Sequence, residues 1–171
     1  MNVSVSAIAA PLMLIFAFAA NADGFCYTRT SGKGCVDQSR ALAGAWSCPG
    51  PGGHSAEFFD DGNVAGFGIR LPGERSARSP YVWRGAEKVF GDRVEWRFDE
   101  GRPTSAVLRI WRTASDDDGR ERNVSELVVF RIGAKPCRIS SIDAGQRGAN
   151  EAAHAIMLEL DRPCAPDSGI R

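Results

Sequence analysis

Apolar positions along this chain come in short bursts separated by turn residues, with no long uninterrupted amphipathic stretch until the C-terminal quarter. The clearest burst is residues 94–98, where Val94, Trp96 and Phe98 alternate with Glu95 and Arg97. A period of two places the apolar set on one face and the charged pair on the other, the pattern of a half-buried strand. The same reading predicts strands at 44–48, 55–59, 64–69, 81–84, 104–113, 123–132 and 138–143. Between them lie breakers: the run from Pro49 to Gly53, the polar loop from Pro72 to Pro80, and the acidic stretch around Asp116 to Gly119. Asp60-Asp61-Gly62-Asn63 is a hairpin turn in its own right, because Asp-Gly supplies the positive backbone φ that tight turns need. Strands repeating at roughly a dozen residues predict a mainly β fold, an antiparallel barrel of roughly eight strands.

Only after the last strand does the period change. Ala149, Ala152, Ala153, Ile156, Met157 and Leu160 fall at helical spacing on one stripe, with Asn150 as the expected cap and Glu151 in the first turn. This predicts one C-terminal helix lying on the outside of the sheet and stopped by Pro163. His154 falls on the polar side with Glu151 and reads as solvated surface. Ahead of the first strand, residues 23–40 are rich in Gly, Ser and Thr without sustained period and read as an N-terminal arm. Residues 41–171 read as a single domain with its helix and tail.

Residues 1–22 carry an apolar run interrupted by Pro11, followed by Ala20-Asn21-Ala22, small residues where a signal peptidase reads. The expectation is a signal peptide cleaved after Ala22 and a periplasmic or secreted product. The run is short for a ~30 Å hydrocarbon core, so no membrane association is expected after cleavage. Five cysteines in an exported chain point to disulfides, with one thiol left over. The favoured pairing is Cys137 with Cys164 and Cys26 with Cys35, leaving Cys48; its rival joins Cys48 to Cys137 or Cys164.

Charge removes one class of partner. Lys and Arg number 21, Asp and Glu 21, and the arginines are scattered, whereas phosphate backbones select a basic surface or stripe, so nucleic acid is not expected. Metal is not expected either, since two histidines and no CxxC or HxxxH spacing give no ligand set.

The stretch from Ala41 to Gly62 concentrates tryptophan, cysteine, glycine and histidine, and invites sharper readings. A phosphate loop needs G-x-x-x-x-G-K-[ST] before a helix, but these glycines run through His54 into a strand. A nucleophile elbow needs G-x-S-x-G, and Gly53-His54-Ser55-Ala56-Glu57 lacks the last glycine. Aligning Gly119 with the invariant glycine of a calcium loop puts Ala114 and Ser125 at the two strongest ligand positions. No nucleophile and base pair stands out, so no enzymatic activity and no cofactor are expected.

What remains is Gly44-Ala45-Trp46 opening a strand, a hairpin with Phe58 and Gly62, a long strand series and a late helix. This resembles the lipocalin-like, or calycin, barrels, whose first strand opens with Gly-x-Trp, although the second lipocalin motif, Thr-Asp-Tyr, has no counterpart. The resemblance implies that Trp46 plugs one end of the barrel, that Gly44 leaves room for the turn, and that Arg138 or Arg147 covers the indole. Trp96 is expected in the core. The function that follows is a binding module for a small apolar ligand. The alternative is a protein partner: a periplasmic inhibitor of the protease- or lysozyme-inhibitor type.

Overall fold

The structure is a computed structural model that describes residues 24–39, 44–77 and 80–166. The signal peptide expected over 1–22 lies outside the described residues. In chain order the described elements are β1 (Gly24–Arg29), β2 (Val36–Asp37), β3 (Gly44–Pro49), β4 (Ser55–Asp60), β5 (Val64–Arg70), β6 (Tyr81–Asp99), β7 (Arg102–Ser115), β8 (Glu121–Arg131), β9 (Cys137–Asp143) and α1 (Ala149–Met157). The fold is mainly β, and every strand pair is antiparallel.

The sheet runs β2-β3-β4-β5-β6-β7-β8-β9, with β1 attached to β6 off that path. Two expected short strands, 81–84 and 94–98, are the ends of one long β6, because residues 85–93 continue the strand through two register shifts against β7. Its first part pairs with β5 and its second part with β1, so β6 and β7 form a spine shared by two layers. Bulges bend a strand and increase its twist. Here the bend lets distant strands meet: Phe67 of β5 and Phe130 of β8 lie with ring centroids 4.9 Å apart, edge to face.

The described residues form a folded-over, antiparallel nine-stranded sheet that does not close on itself, so the expected roughly eight-stranded barrel is met only as far as its antiparallel β architecture. The extra strands come from 23–40. That segment is not a separate arm, since β1 pairs with β6 from Gly24↔Phe98 to Arg29↔Arg93 and β2 pairs with β3.

Two apolar clusters hold the fold. The inner one fills the space between the layers with Phe58, Phe67, Ile69, Trp83, Val94, Trp96, Leu108, Ile110, Val128 and Phe130. The outer one lies between sheet and helix, where Ala149, Ala153 and Met157 pack on Val107, Leu127, Val129, Ile139 and Ile142. The helix therefore lies outside the sheet as expected. Its boundaries differ: Gly148, at φ 77°, occupies the cap position, no side chain caps it, and Asn150 is already inside the helix. The helix ends at Met157, ahead of Pro163.

Cys137 and Cys164 are bridged, with their Cα atoms 5.7 Å apart, and the bridge anchors the tail to β9. The second bridge joins Cys35 to Cys48, not Cys26 to Cys35. The correction follows from β1: it carries Cys26 to β6, opposite Trp96, while the β2–β3 pairing brings Cys35 beside Cys48. Cys26 is the free thiol.

Candidate functional site

The glycine-rich stretch that follows Trp46 is architectural. Gly50 donates its N–H to the His54 carbonyl, and a Cβ at Gly50 would stand 2.8 Å from the Trp96 ring. The Pro49 to Gly53 turn is thus seated directly on Trp96, which is fully buried and whose indole N–H donates to Thr28 Oγ1 at 2.8 Å. Trp96 is the core residue its alternation predicts. His54 is half-buried, with Nδ1 2.9 Å from the Pro51 carbonyl. No phosphate cradle or nucleophile is assembled by this turn.

Trp46 is half-buried, stacked on Phe58 and edge-on to Phe90, and its indole N–H donates to the Thr30 carbonyl at 2.6 Å. It ties β3 to the end of β1. Gly44 is where close approach excludes a side chain, a Cβ there falling 3.0 Å from the Asp60 carbonyl. The expected cover is displaced: the Arg138 guanidinium lies 4.5 Å over the Tyr81 ring and donates to the Pro166 carbonyl. It does not cover Trp46, because β9 lies at the far end of the sheet order from β3.

A different cluster forms on the outer face, where β1, β6 and β7 run beside α1. Their register sets out three rows of side chains. Phe25 of β1 faces Arg97 of β6, Tyr27 faces Glu95, and Arg29 faces Arg93. On β7, Val107 continues the Tyr27–Glu95 row, and Arg109, two residues on, lies on the same face. Tyr27, Arg93, Glu95, Arg109, Asn150 and His154 line one depression here.

Glu95 is its hub. His154 reaches down from α1 to place Nε2 2.8 Å from Glu95 Oε1, and its ring stacks on Phe25 with centroids 5.0 Å apart. That Glu95 oxygen is buried and has no well-aligned hydrogen bond. His154 is accordingly not free solvated surface: α1 crosses the sheet at a point that turns it onto β1 and β6. Burial first, and the Glu95 carboxylate second, push the Tyr27 phenol up, with Arg93 opposing.

Some arginines of the molecule are engaged by carboxylates, while others, among them Arg102, Arg122 and Arg147, form no side-chain ion pair or hydrogen bond among the described residues. Arg70 pairs with Glu57, Arg112 with Glu126 and Arg162 with Glu159. Among the described residues, no side-chain ion pair or hydrogen bond is formed by Arg29, Arg93, Arg97 or Arg109. On the same strand, Glu95 contacts His154 and Asp92 contacts Lys88.

Sequence reasoning missed this cluster because its members come from β1, β6, β7 and α1. The one available signal was the inverted alternation of Gly24–Arg29, which puts Phe25 and Tyr27 outward, 47% and 56% exposed, and turns Cys26 and Thr28 inward. No family model, curated protein or solved structure matches the chain.

Among the described residues no helix is long and apolar enough to cross a membrane, and no group of His, Cys, Asp and Glu could hold a metal ion. The free thiol is not set up as a nucleophile. Cys26 packs against the inner cluster and burial pushes its pKa up, the reverse of the activation that reactive thiols need.

Proposed function

We propose that this is an exported, non-catalytic interaction module of the inhibitor type, binding a protein partner on its outer face. The observation that carries this reading is the way the inner face is used. Rings from five strands meet there, Trp46 on Phe58, Phe58 on Phe67 and Phe67 on Phe130, with Phe90 edge-on to Trp46, Phe58 and Trp83. Side chains that fill one another's space leave the interior of a small β fold as core; a carrier keeps that space for its ligand. The outer face, in contrast, exposes Phe25 and Tyr27 beside unpaired arginines.

Two disulfides suit a non-reducing compartment, which supports the periplasm or the extracellular space as the site of action. The relation to calycin-type barrels belongs to the same proposal, as a sheet that folds over without closing. Intrinsic fluorescence tests the reading, because Trp83 and Trp96 are buried in the inner cluster. Titration with a neutral naphthylamine probe is expected to give no saturable energy transfer from tryptophan. Saturable one-to-one transfer would overturn the reading in favour of a carrier of small apolar molecules.

A further inference from the structure

We infer that the outer face of β1, with the arginines beside it, docks an extended acidic segment of the protein partner; this rests on the interaction-module reading above and deepens it. Three independent features converge on that strand. The first is an edge. β1 pairs with β6, and no strand is paired along its other side among the described residues. An unpaired edge offers backbone N–H and C=O groups at the spacing of a strand, and native proteins ordinarily blunt such edges. Addition of a partner strand is a recurring way to use them.

The second feature is charge. Arg29 and Arg93 stand directly opposite each other across the β1–β6 pair, and Arg109 lies on the same face of β7. Like charges facing across a strand pair are unfavourable. Among the described residues no carboxylate forms an ion pair with Arg29 or Arg93; Glu95, on the same face, contacts His154, and Asp92 contacts Lys88. In a chain whose formal net charge is zero, what sets these cations apart is their alignment across adjacent strands beside an open edge, and such a row favours an anionic partner. Guanidinium groups bind carboxylates in forked, two-point geometry, so aspartate and glutamate side chains are the complement.

The third feature is apolar. Phe25 and Tyr27 alternate with Cys26 and Thr28 along β1 and present their rings outward, next to the open edge. A strand added at that edge sets every second side chain on the same outer face, beside these rings and Arg29, with Arg93 one strand further in. The segment that fits carries acidic side chains at alternate positions, with apolar ones able to reach the aromatic rings. The His154–Glu95 contact and the Phe25–His154 stack fix the floor of this surface by tying α1 to β1 and β6.

A defined probe tests this on the full chain: a capped, fluorescein-labelled peptide alternating glutamate and valine, followed by anisotropy. Saturable one-to-one binding is expected, weakening steeply as salt rises from about 0.05 M to about 0.3 M. Arg29→Glu and Arg93→Glu are expected to weaken it about tenfold or more each, as truncation or reversal of a paired interface charge does. Lys135→Glu, an equal charge change in the β8–β9 turn, is expected to leave it unchanged. Far-UV circular dichroism and the melting midpoint establish that each variant is folded. The same peptide N-methylated along one edge keeps its charge but cannot extend the sheet, and the analogue blocked on its pairing edge is expected not to bind. If both singly N-methylated analogues bind as the parent does, or if free glutarate competes at equal concentration, edge pairing is wrong and the face is a simple anion site. No binding of the acidic peptide, or equal binding of a lysine–valine analogue, overturns the proposal outright. Either failure leaves the naphthylamine result unaffected, so it is distinguishable from failure of the interaction-module reading.

Discussion

A methyl group added at Gly50 would meet the Trp96 ring at 2.8 and 2.9 Å and the His54 carbonyl at 3.2 Å. Gly50→Ala is therefore expected to destabilise by about 1–3 kcal/mol, the usual cost of forcing extra carbon into a packed site. Gly133→Ala is the control: nothing lies within 4 Å of its Cβ position, and relief of chain entropy should make it neutral or slightly stabilising. Denaturant melts of the two variants measure the difference. Trp96 itself was legible, since alternation alone puts it inside. Gly50 was not, because its role depends on a ring 46 positions away in sequence. Cys26 makes a second residue-level prediction. Burial raises its pKa above its ordinary value of 9.0, so the unfolded chain ionises at lower pH than the folded one. The sign follows from linkage: stability is unaffected well below pH 9 and falls as pH rises from there through the folded value. Melts of Cys26→Ala should show a shallower alkaline decline than the parent, and equal declines would refute the buried-thiol assignment.

At the scale of elements, the strands most legible in the sequence were those with one apolar and one polar face, such as residues 94–98, or with a strong turn beside them. The β4–β5 hairpin is of the second kind. Asp61 Oδ1 accepts the N–H groups of Asn63 and Val64 at 2.9 and 2.7 Å, and Asp60 Oδ1 accepts that of Gly62. Those bonds, Val64 first, hold the Asp61 carboxyl below its usual range. A depressed folded value means that the contribution is present above the unfolded value of 3.8 and is lost as pH falls through the folded one. Asp61→Ala should flatten the acid limb of a stability–pH curve while lowering stability at neutral pH. An unchanged acid limb would show that the turn is not held by this carboxylate. β1 was illegible for the opposite reason: its aromatic side chains face outward and its small and polar ones inward, which reverses the burial rule on which period-two reading depends. Residues 85–93 were illegible because bulges break the alternation of β6. The C-terminal tail depended on a clamp that periodicity does not encode, Arg131 donating to the carbonyls of Leu160 and Arg162.

For the whole molecule, an open sheet leaves chain ends that strand pairing alone does not fasten, and the two disulfides stand where such fastening is needed. Cys35–Cys48 holds the segment between β1 and β3 against the inner cluster, and Cys137–Cys164 holds the tail against β9. The second bridge was legible from the cysteines flanking the helix. The first was not, because pairing Cys26 with its near neighbour in sequence ignores that β1 departs to β6. The bridges close separate loops, with sequence separations of 13 and 27. The chain-entropy model then assigns about 3 kcal/mol to the first and about 3.5 kcal/mol to the second. Together these are comparable with the roughly 5–15 kcal/mol by which a native domain exceeds its unfolded chain. Reduction of both should therefore bring the protein close to its melting point at body temperature, whereas Cys35→Ser with Cys48→Ser, or Cys137→Ser with Cys164→Ser, should each leave a folded but less stable chain. Thermal melts of the two double variants and of the reduced parent, followed by tryptophan fluorescence, decide it. If the reduced parent melts within a few degrees of the oxidised protein, the layers are held by their apolar clusters alone and the staples are incidental to the fold.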